Sequence, residues 1–285
     1  MRNKVNGVVY VATGERFVAS AIESIKSLRI HEPEVDIELF TDKDIKEFQF
    51  ANLNIRIIIN PEFNWNDKIT AIAETSFAKA IYIDVDTYVV RPFVKEIFAE
   101  LDNSDLIVRS GMSFNFKGES ELVPPLISQF NTGVIGFNSS KFSDIALEWA
   151  SLRAIYSESK FPGSGDQPSF RLAVANSRLR IRELPSDFNF MGTDTIIDKV
   201  RIVHFAGVRT KIHSKRNINK ALALSKFPPG TLCVYWLPIF DGSVHYLNLI
   251  RIVLSWQITQ LRTYATQRGI NRKSIHVLKE KFSKK

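Results

Sequence analysis

Along the front half of the chain, short apolar runs alternate with segments whose apolar residues recur every three to four positions. "GVVYVAT" (Gly7–Thr13) is a nearly continuous apolar run and reads as a buried strand. "RFVASAIESIKSL" (Arg16–Leu28) follows with apolar residues at helical spacing. "DIELFTD" (Asp36–Asp42) is strand-like and leads into a short polar helix, and "NIRIIIN" (Asn54–Asn60) is another strand. "NDKITAIAETSF" (Asn66–Phe77) reads as a helix before the strand "KAIYIDVD". Strands alternating with helices predict a largely parallel sheet covered on both faces. In such sheets ligands sit beyond the carboxyl ends of the strands, where Thr13, Asp42, Asp84 and Asp86 all fall.

The back half is less regular. "SDLIVRS" (Ser104–Ser110) and "NTGVIGFN" (Asn131–Asn138) read as strands, and "SDIALEWASLRAIYSE" (Ser143–Glu158) as a helix with Ser143 as its cap. "PGSGDQPSFRLAVAN" (Pro162–Asn176) is a loop entering a short helix, followed by strands near "LRIREL" and "VRIVHFAG". From Val208 to Gly230 the chain is polar and basic with no clear period, and nothing along it repeats.

A hydrophobic content of 45% over 285 residues suffices for one large domain, alone or with an appendage. The first apolar run is too short for a signal peptide, and no segment offers the roughly 18 unbroken apolar residues of a membrane span. The lone Cys233 excludes an intramolecular disulfide and most cysteine-based metal sites. A reducing, cytoplasmic location fits that.

The net charge of +8 suggests nucleic acid until it is located. Nine Lys or Arg and a single acid, Glu280, lie between Val244 and Lys285, so this tail carries the whole excess and residues 1–243 are neutral. We therefore expect a catalytic body over 1–243 and a basic tail over 244–285. A terminal charge with no recognition motif is a poor nucleic-acid signature. Leu247, Ile250, Leu254, Ile258 and Leu261 share one helical face ahead of the polybasic end. Such a helix either lies on an anionic membrane surface, here the inner face, or packs on the body or a second subunit.

The chemistry begins at Asp84 and Asp86, one residue apart at the end of a core strand. Carboxylates are costly to bury, and three readings account for the pair. It is a turn; or a phosphohydrolase loop of the haloacid dehalogenase type, whose first Asp attacks phosphorus; or a site for Mg²⁺ or Mn²⁺ holding the diphosphate of a sugar nucleotide. The dehalogenase loop follows a first strand and carries Thr or Val two places after its second Asp. Here about 80 residues precede the pair and Tyr88 holds that place.

Further motifs follow in order: Lys68 in "NDKITAI", then "NTGVIGFN", "GDQPSF" and "VRIVHFAG". Together they resemble the metal-dependent, nucleotide-sugar glycosyltransferases with the GT-A fold. The likeness runs from Val8 to Lys211 and is greatest to glycosyltransferase family eight, the group of glycogenin and bacterial lipooligosaccharide galactosyltransferases. The resemblance implies an α/β, Rossmann-like mixed sheet covered by helices, here with a basic amphipathic helical tail. It implies that Asp84, Asp86 and His204 hold Mn²⁺ or Mg²⁺, that Thr13 and Asp42 lie at the nucleotide, and that Lys68 faces the donor's phosphates. Asn131 and Thr132 then line the sugar pocket, Asp166 binds sugar hydroxyls, and Gln167 lies beside the anomeric centre. The family's Lys-Pro-Trp after its His is missing: Thr210 holds the Lys position, and flanking Arg209 or Lys211 takes the diphosphate contact.

Each residue also has a purely structural reading. Thr13 and Asp42 are helix caps, Lys68 a solvated helix lysine, Asp166 an N-cap ahead of Pro168, His204 a satisfied core histidine, and Gly133 a close-packing position. The implied activity is transfer of a sugar from a nucleoside-diphosphate sugar, UDP-linked in this family, to a hydroxyl of a glycan or glycolipid with retained configuration. That places it in cell-surface polysaccharide or lipopolysaccharide synthesis. The alternatives are the phosphohydrolase and a degenerate transferase that only binds nucleotide sugar.

Overall fold

The computed structural model describes residues 6–45, 50–110, 129–155, 165–191, 196–206 and 212–231. Cys233, Arg209, Thr210, Lys211 and the tail 244–285 lie outside these residues.

Strands β1 (Gly7–Ala12), β2 (Asp36–Thr41), β3 (Leu53–Ile57), β4 (Lys79–Ile83), β6 (Leu106–Ser110), β7 (Phe130–Asn138) and β8 (Ile181–Glu183) form one seven-stranded sheet. Its order is β3-β2-β1-β4-β7-β6-β8. A separate ribbon pairs β5 (Thr87–Val89) with β9 (Ile202–His204). The helices are α1 (Glu15–His31), α2 (Trp65–Ala73), α3 (Val94–Glu100), α4 (Ser139–Ile155), α5 (Gln167–Ala175) and α6 (Lys215–Leu224). None of the described helices is long and apolar enough to cross a membrane.

Successive side chains of a strand point to opposite faces, and β1 shows both faces covered. Val8, Tyr10 and Ala12 join a core with Ile22, Ile25 and Leu28 of α1 and with Val94 and Ile97 of α3. Val9 and Val11 join another with Ile69 and Ile72 of α2, Trp149 of α4 and Phe170 of α5. This is why the first strand reads as an unbroken apolar run.

Strands β3, β2, β1 and β4 run parallel, as expected, while β7 runs antiparallel to both β4 and β6. The reversal matters because it sets the start of β7 against the carboxyl end of β4. Ile83 pairs with Val134, and Asp84 N–H donates to Gly133 O at 2.8 Å. A parallel β7 would have carried Asn131–Gly133 to the opposite edge.

Two expectations are corrected. Ser143 does not cap its helix: α4 begins at Ser139, directly after β7, so Ser143 lies within it. The stretch 208–230 contains α6, capped by Ser214, whose side chain accepts from Asn217 N–H. After Asp42, residues 43–45 are not helical, and 46–49 lie outside the described residues.

At the far end of the sheet Asp105 joins β6 to β8. Its carboxylate accepts from Arg180 N–H (3.0 Å), Nε (3.1 Å) and Nη2 (2.9 Å). These hydrogen bonds, with the guanidinium charge, hold the carboxyl at about 2, below its ordinary 3.8. A folded-state value depressed this way contributes stability above the unfolded value and loses it as pH falls toward the folded one. Asp105→Asn should therefore lower the melting temperature at pH 7, modestly because Arg180 is exposed and the pair is screened by solvent. The deficit should shrink between pH 4 and pH 2. A deficit equal at both pH values would contradict the pairing.

Candidate active site

Chain reversal after β4 puts Asp84 and Asp86 at the carboxyl edge of the sheet, and the β5–β9 ribbon brings the distant histidine to them. Thr87 pairs in register with His204, and Phe205 N–H donates to Asp86 O at 2.8 Å. His204 Nε2 consequently stands 3.1 Å from Asp86 Oδ1 and 3.7 Å from Asp84 Oδ2. One ligand atom from each of the three lies within 4.8 Å of the others. Carboxylate oxygens plus an imidazole nitrogen form a donor set suited to a divalent cation of the Mn²⁺ or Mg²⁺ type.

The other nitrogen of His204 is also engaged. Nδ1 lies 2.9 Å from Asn189 Oδ1, and Asn189 Nδ2 donates to Asn131 Oδ1 at 2.7 Å. Gly133 serves the same ring: a Cβ there would overlap His204 Cε1 and stand 2.5 Å from Nδ1. The glycine is thus required by close approach to the histidine.

Beside the triad lies a buried ammonium. Lys68, only 5% exposed, places Nζ 3.2 Å from Asp84 Oδ1 and 3.0 Å from Asp166 Oδ2. It also donates to Thr132 O (2.9 Å) and Oγ1 (3.1 Å), and sits 4.7 Å from the centre of the Tyr82 ring. Burial alone would lower the Lys68 pKa, but Asp166 and Asp84 outweigh it and raise the value. Desolvation pushes the Asp84 carboxyl up, against the pull of Lys68. Asp86 is also driven up by burial, yet the charge and hydrogen bond of His204 bring it below its ordinary value. His204 rises, because Asp86 and Asp84 exceed the opposing cost of burial.

The structural readings of these residues mostly fail. Lys68 is not solvated. Asp166 occupies the N-cap position of α5 but makes no side-chain cap; its Oδ1 accepts from Thr132 Oγ1 at 3.0 Å. Trp149 Nε1 donates to Asp166 O at 3.0 Å, fixing the turn from below. Gln167 follows, half-buried, at the helix start. Gly14, not Thr13, holds the N-cap position of α1; Thr13 Oγ1 instead donates to Asp67 Oδ2 at 2.8 Å. Asp42 caps no following helix among the described residues and accepts from Gly14 N–H at 2.8 Å. Asn131 is brought to the site but turned away from open space, its Oδ1 accepting from Asn189 and from Gly133 N–H (3.0 Å).

A cleft of about 480 Å³ opens above these groups, floored by Lys68, Tyr82, Asp84 and Asp86. Phe17, Phe63 and Trp65 line it and are 45%, 61% and 39% exposed. Phe63 sits in the left-handed region (φ 55°), held by Asp67, whose Oδ2 accepts from Phe63 N–H at 2.8 Å. Strained backbone of this kind concentrates at functional sites. Arg153 of α4 also lines the cleft, and its buried Nη1 has no hydrogen-bond partner. A larger, shallower hollow of about 610 Å³ around Glu32, Lys79 and Phe98 involves none of the candidate residues.

Sequence reasoning missed Asp67, Tyr82, Arg153 and Asn189. Asp67 adjoins Lys68, and Tyr82 precedes Asp84 by two, so both lay within recognised motifs; Tyr82 OH donates to Asp84 Oδ1 at 2.5 Å. Asn189 and Arg153 carry no local signal.

A mixed sheet with one reversed strand, an acidic pair at its edge and a histidine returned by a ribbon is the architecture of the GT-A glycosyltransferases, and the chain has that fold. No family model matches the sequence, and no curated protein does. Solved structures do match. The galactosyltransferase LgtC, in complex with donor and acceptor sugar analogs, aligns over 78% of this chain and 97% of its own, at 15% identity and TM-score 0.56. An active-site glutamine-to-glutamate variant of LgtC gives TM-score 0.55 at 14% identity, over the same shares of both chains. The glycosyltransferase GlyE of Streptococcus pneumoniae aligns over 92% of this chain but 64% of its own, at 17% identity and TM-score 0.53. The resemblance drawn from the motifs and the likeness of fold coincide.

Removing the Lys68 ammonium leaves Asp84 and Asp166 without their shared counter-charge. Breaking a buried pair from one side costs about 3–5 kcal/mol. Lys68→Met should lower unfolding free energy by that amount in urea titrations, with part recovered in the Lys68→Met/Asp166→Asn double variant. A loss below about 1 kcal/mol would contradict the buried pairing.

Proposed function

We propose that the protein is a metal-dependent glycosyltransferase, moving a sugar from a nucleoside-diphosphate sugar to a hydroxyl of a glycan or glycolipid. One observation carries this reading: in a GT-A fold, Asp84, Asp86 and His204 converge at the carboxyl edge of the sheet, their ligand atoms within 4.8 Å. Asp84, Asp86 and Asp166 with Lys68 and a neutral His204 leave two negative charges, which a divalent cation balances. A bound cation supplies Lewis-acid stabilisation of the diphosphate leaving group. Asp84 Oδ2, an Asp86 oxygen and His204 Nε2 would hold it, while Asp84 Oδ1 is kept in place by Tyr82 and Lys68.

The remaining residues position the substrate. Lys68 is committed to two carboxylates, so it orients them more than it meets phosphate. Arg153 offers an uncommitted guanidinium nitrogen in the cleft for an anionic group, a role earlier assigned to Arg209 or Lys211. Exposed Phe17, Phe63 and Trp65 give flat apolar faces on which a nucleobase or sugar ring stacks. Asp166 presents its carboxylate to sugar hydroxyls and Gln167 lies next to it; that LgtC has an active-site glutamine supports a role for Gln167. The LgtC complex with donor and acceptor sugar analogs supports the same two substrate classes here.

Retained configuration is carried over from the family resemblance, and no carboxylate pair among the described residues identifies itself as a double-displacement nucleophile and base. Asp166 is paired to Lys68 and Thr132, so it is not a free nucleophile. The acceptor oxygen bonds to the anomeric carbon from the face that the phosphate leaves, and the departing phosphate oxygen takes its proton. UDP as nucleotide, Mn²⁺ as metal, and a lipopolysaccharide or polysaccharide acceptor extend this reading from the family resemblance.

A thermal-shift screen of nucleoside-diphosphate sugars should show stabilisation that requires Mn²⁺. Asp86→Ala should cut metal-dependent transfer or donor hydrolysis by more than the roughly 100-fold typical of losing an outer-shell partner, with unchanged circular dichroism. Wild-type turnover in this variant would remove the metal role. Phosphate release from simple phosphomonoesters would instead favour the phosphohydrolase, and donor binding without turnover the degenerate transferase.

We also read the basic tail as a membrane-surface element. Its cations, each worth about 1 kcal/mol near anionic lipid, should make the full chain float with phosphatidylserine vesicles, while a chain lacking residues 244–285 stays below. Equal flotation of both would sink the anchoring role.

A further inference from the structure

The hydrogen bonds behind His204 can be assigned atom by atom from one fixed donor. Gly133 N–H can only donate, and it points at the Asn131 side-chain atom 3.0 Å away, which must be the oxygen. The Asn189 atom 2.7 Å from that oxygen must then be its amino group. The Asn189 oxygen therefore faces His204 Nδ1 at 2.9 Å, and Nδ1 must carry a hydrogen. In the neutral ring the lone pair then lies on Nε2, the nitrogen 3.1 Å from Asp86 Oδ1.

We infer that Asn189 is the positioning residue that selects Nε2 of His204 as the cation-facing nitrogen; the inference rests on the metal-dependent reading above. The arrangement is built rather than incidental. Asn189 is fully buried, with Asn131 and His204 3% and 4% exposed. The Asn189 backbone is pinned by Arg109, whose Nη1 donates to Asn189 O at 2.5 Å. The next residue is laced to β9: Phe190 N–H donates to Ile202 O, and His204 N–H to Phe190 O. The backbone that carries the amide is thus fixed, and the amide can turn away only by giving up its bonds to His204 and Asn131. An oxygen accepting from Nδ1–H fixes tautomer and ring angle and raises the basicity of the opposite nitrogen. Without it the ring is free to place a hydrogen on Nε2, where a cation would have to displace it.

The test uses the full chain and Mn²⁺ alone, counting free Mn²⁺ by electron paramagnetic resonance. Asn189→Leu removes the acceptor and should weaken Mn²⁺ binding about 10–100-fold. Asn189→Asp gives up the bond to Asn131 and adds a buried carboxylate, but it keeps an oxygen facing Nδ1, so its Mn²⁺ affinity should stay within a few-fold of wild type. Nitrogen-15 histidine spectra of the Zn²⁺-loaded wild type should show His204 protonated at Nδ1 and metal-bound at Nε2. Equal affinity of Asn189→Leu and wild type, or equal weakening of the Leu and Asp variants, overturns the inference. If the Leu variant does not fold, the spectrum decides: an unprotonated Nδ1 overturns it. Failure of the wild type to bind Mn²⁺ overturns the metal reading as well, whereas normal wild-type binding with an indifferent Asn189→Leu overturns this inference alone.

Discussion

Three carboxylates gathered where water is scarce are the constraint that the structure answers. Asp84 and Asp86 sit one residue apart, and Asp166 reaches in from another element; like charges at such distances repel strongly in a low dielectric. Lys68 stands between two of them, and His204 faces the third side. Without that compensation the carboxylates at the end of β4 would repel one another, and desolvation already favours the protonated form of Asp84. The charge left over is what the proposed divalent cation and diphosphate would exploit.

The fold serves this gathering at long range. Lys68 comes from a helix packed against β1 and α4, Thr132 from a strand running opposite to β4, Asp166 from the start of a helix, and His204 from a ribbon strand. Only the reversed direction of β7 and the β5–β9 ribbon let segments so far apart in the chain meet at one edge. Gly133 shows how tightly strand and site are coupled, since a single methyl group there collides with the His204 imidazole.

Much of this was legible beforehand, and the reasons are local. Buried strands such as β1 are covered on both faces and so read as apolar runs; α1 buries one stripe and shows it as periodicity. Asp84, Asp86, Thr132, Asp166 and His204 announced themselves because each stands close to one end of an apolar element, within a short ordered motif. Strand direction was not legible: an apolar run looks the same whichever way it points. Helix α6 was missed because its exposed face is basic and its buried residues, Asn217, Ala221 and Leu224, include a polar one. Ser143 misled because a cap-like residue inside a helix looks the same as one at its start. Asn189 left no trace, being a single polar residue whose partners lie 15 and 58 positions away.

The central claim is that Asp84, Asp86 and His204 share one divalent cation within reach of a nucleotide's diphosphate. Crystals grown with Mn²⁺ and UDP, measured at the manganese absorption edge, test it most directly. The account predicts one anomalous peak, bonded to Asp84 Oδ2, an Asp86 oxygen and His204 Nε2, with diphosphate oxygens completing its shell. Manganese bound elsewhere, or UDP bound with His204 turned away from the acidic pair, would contradict it.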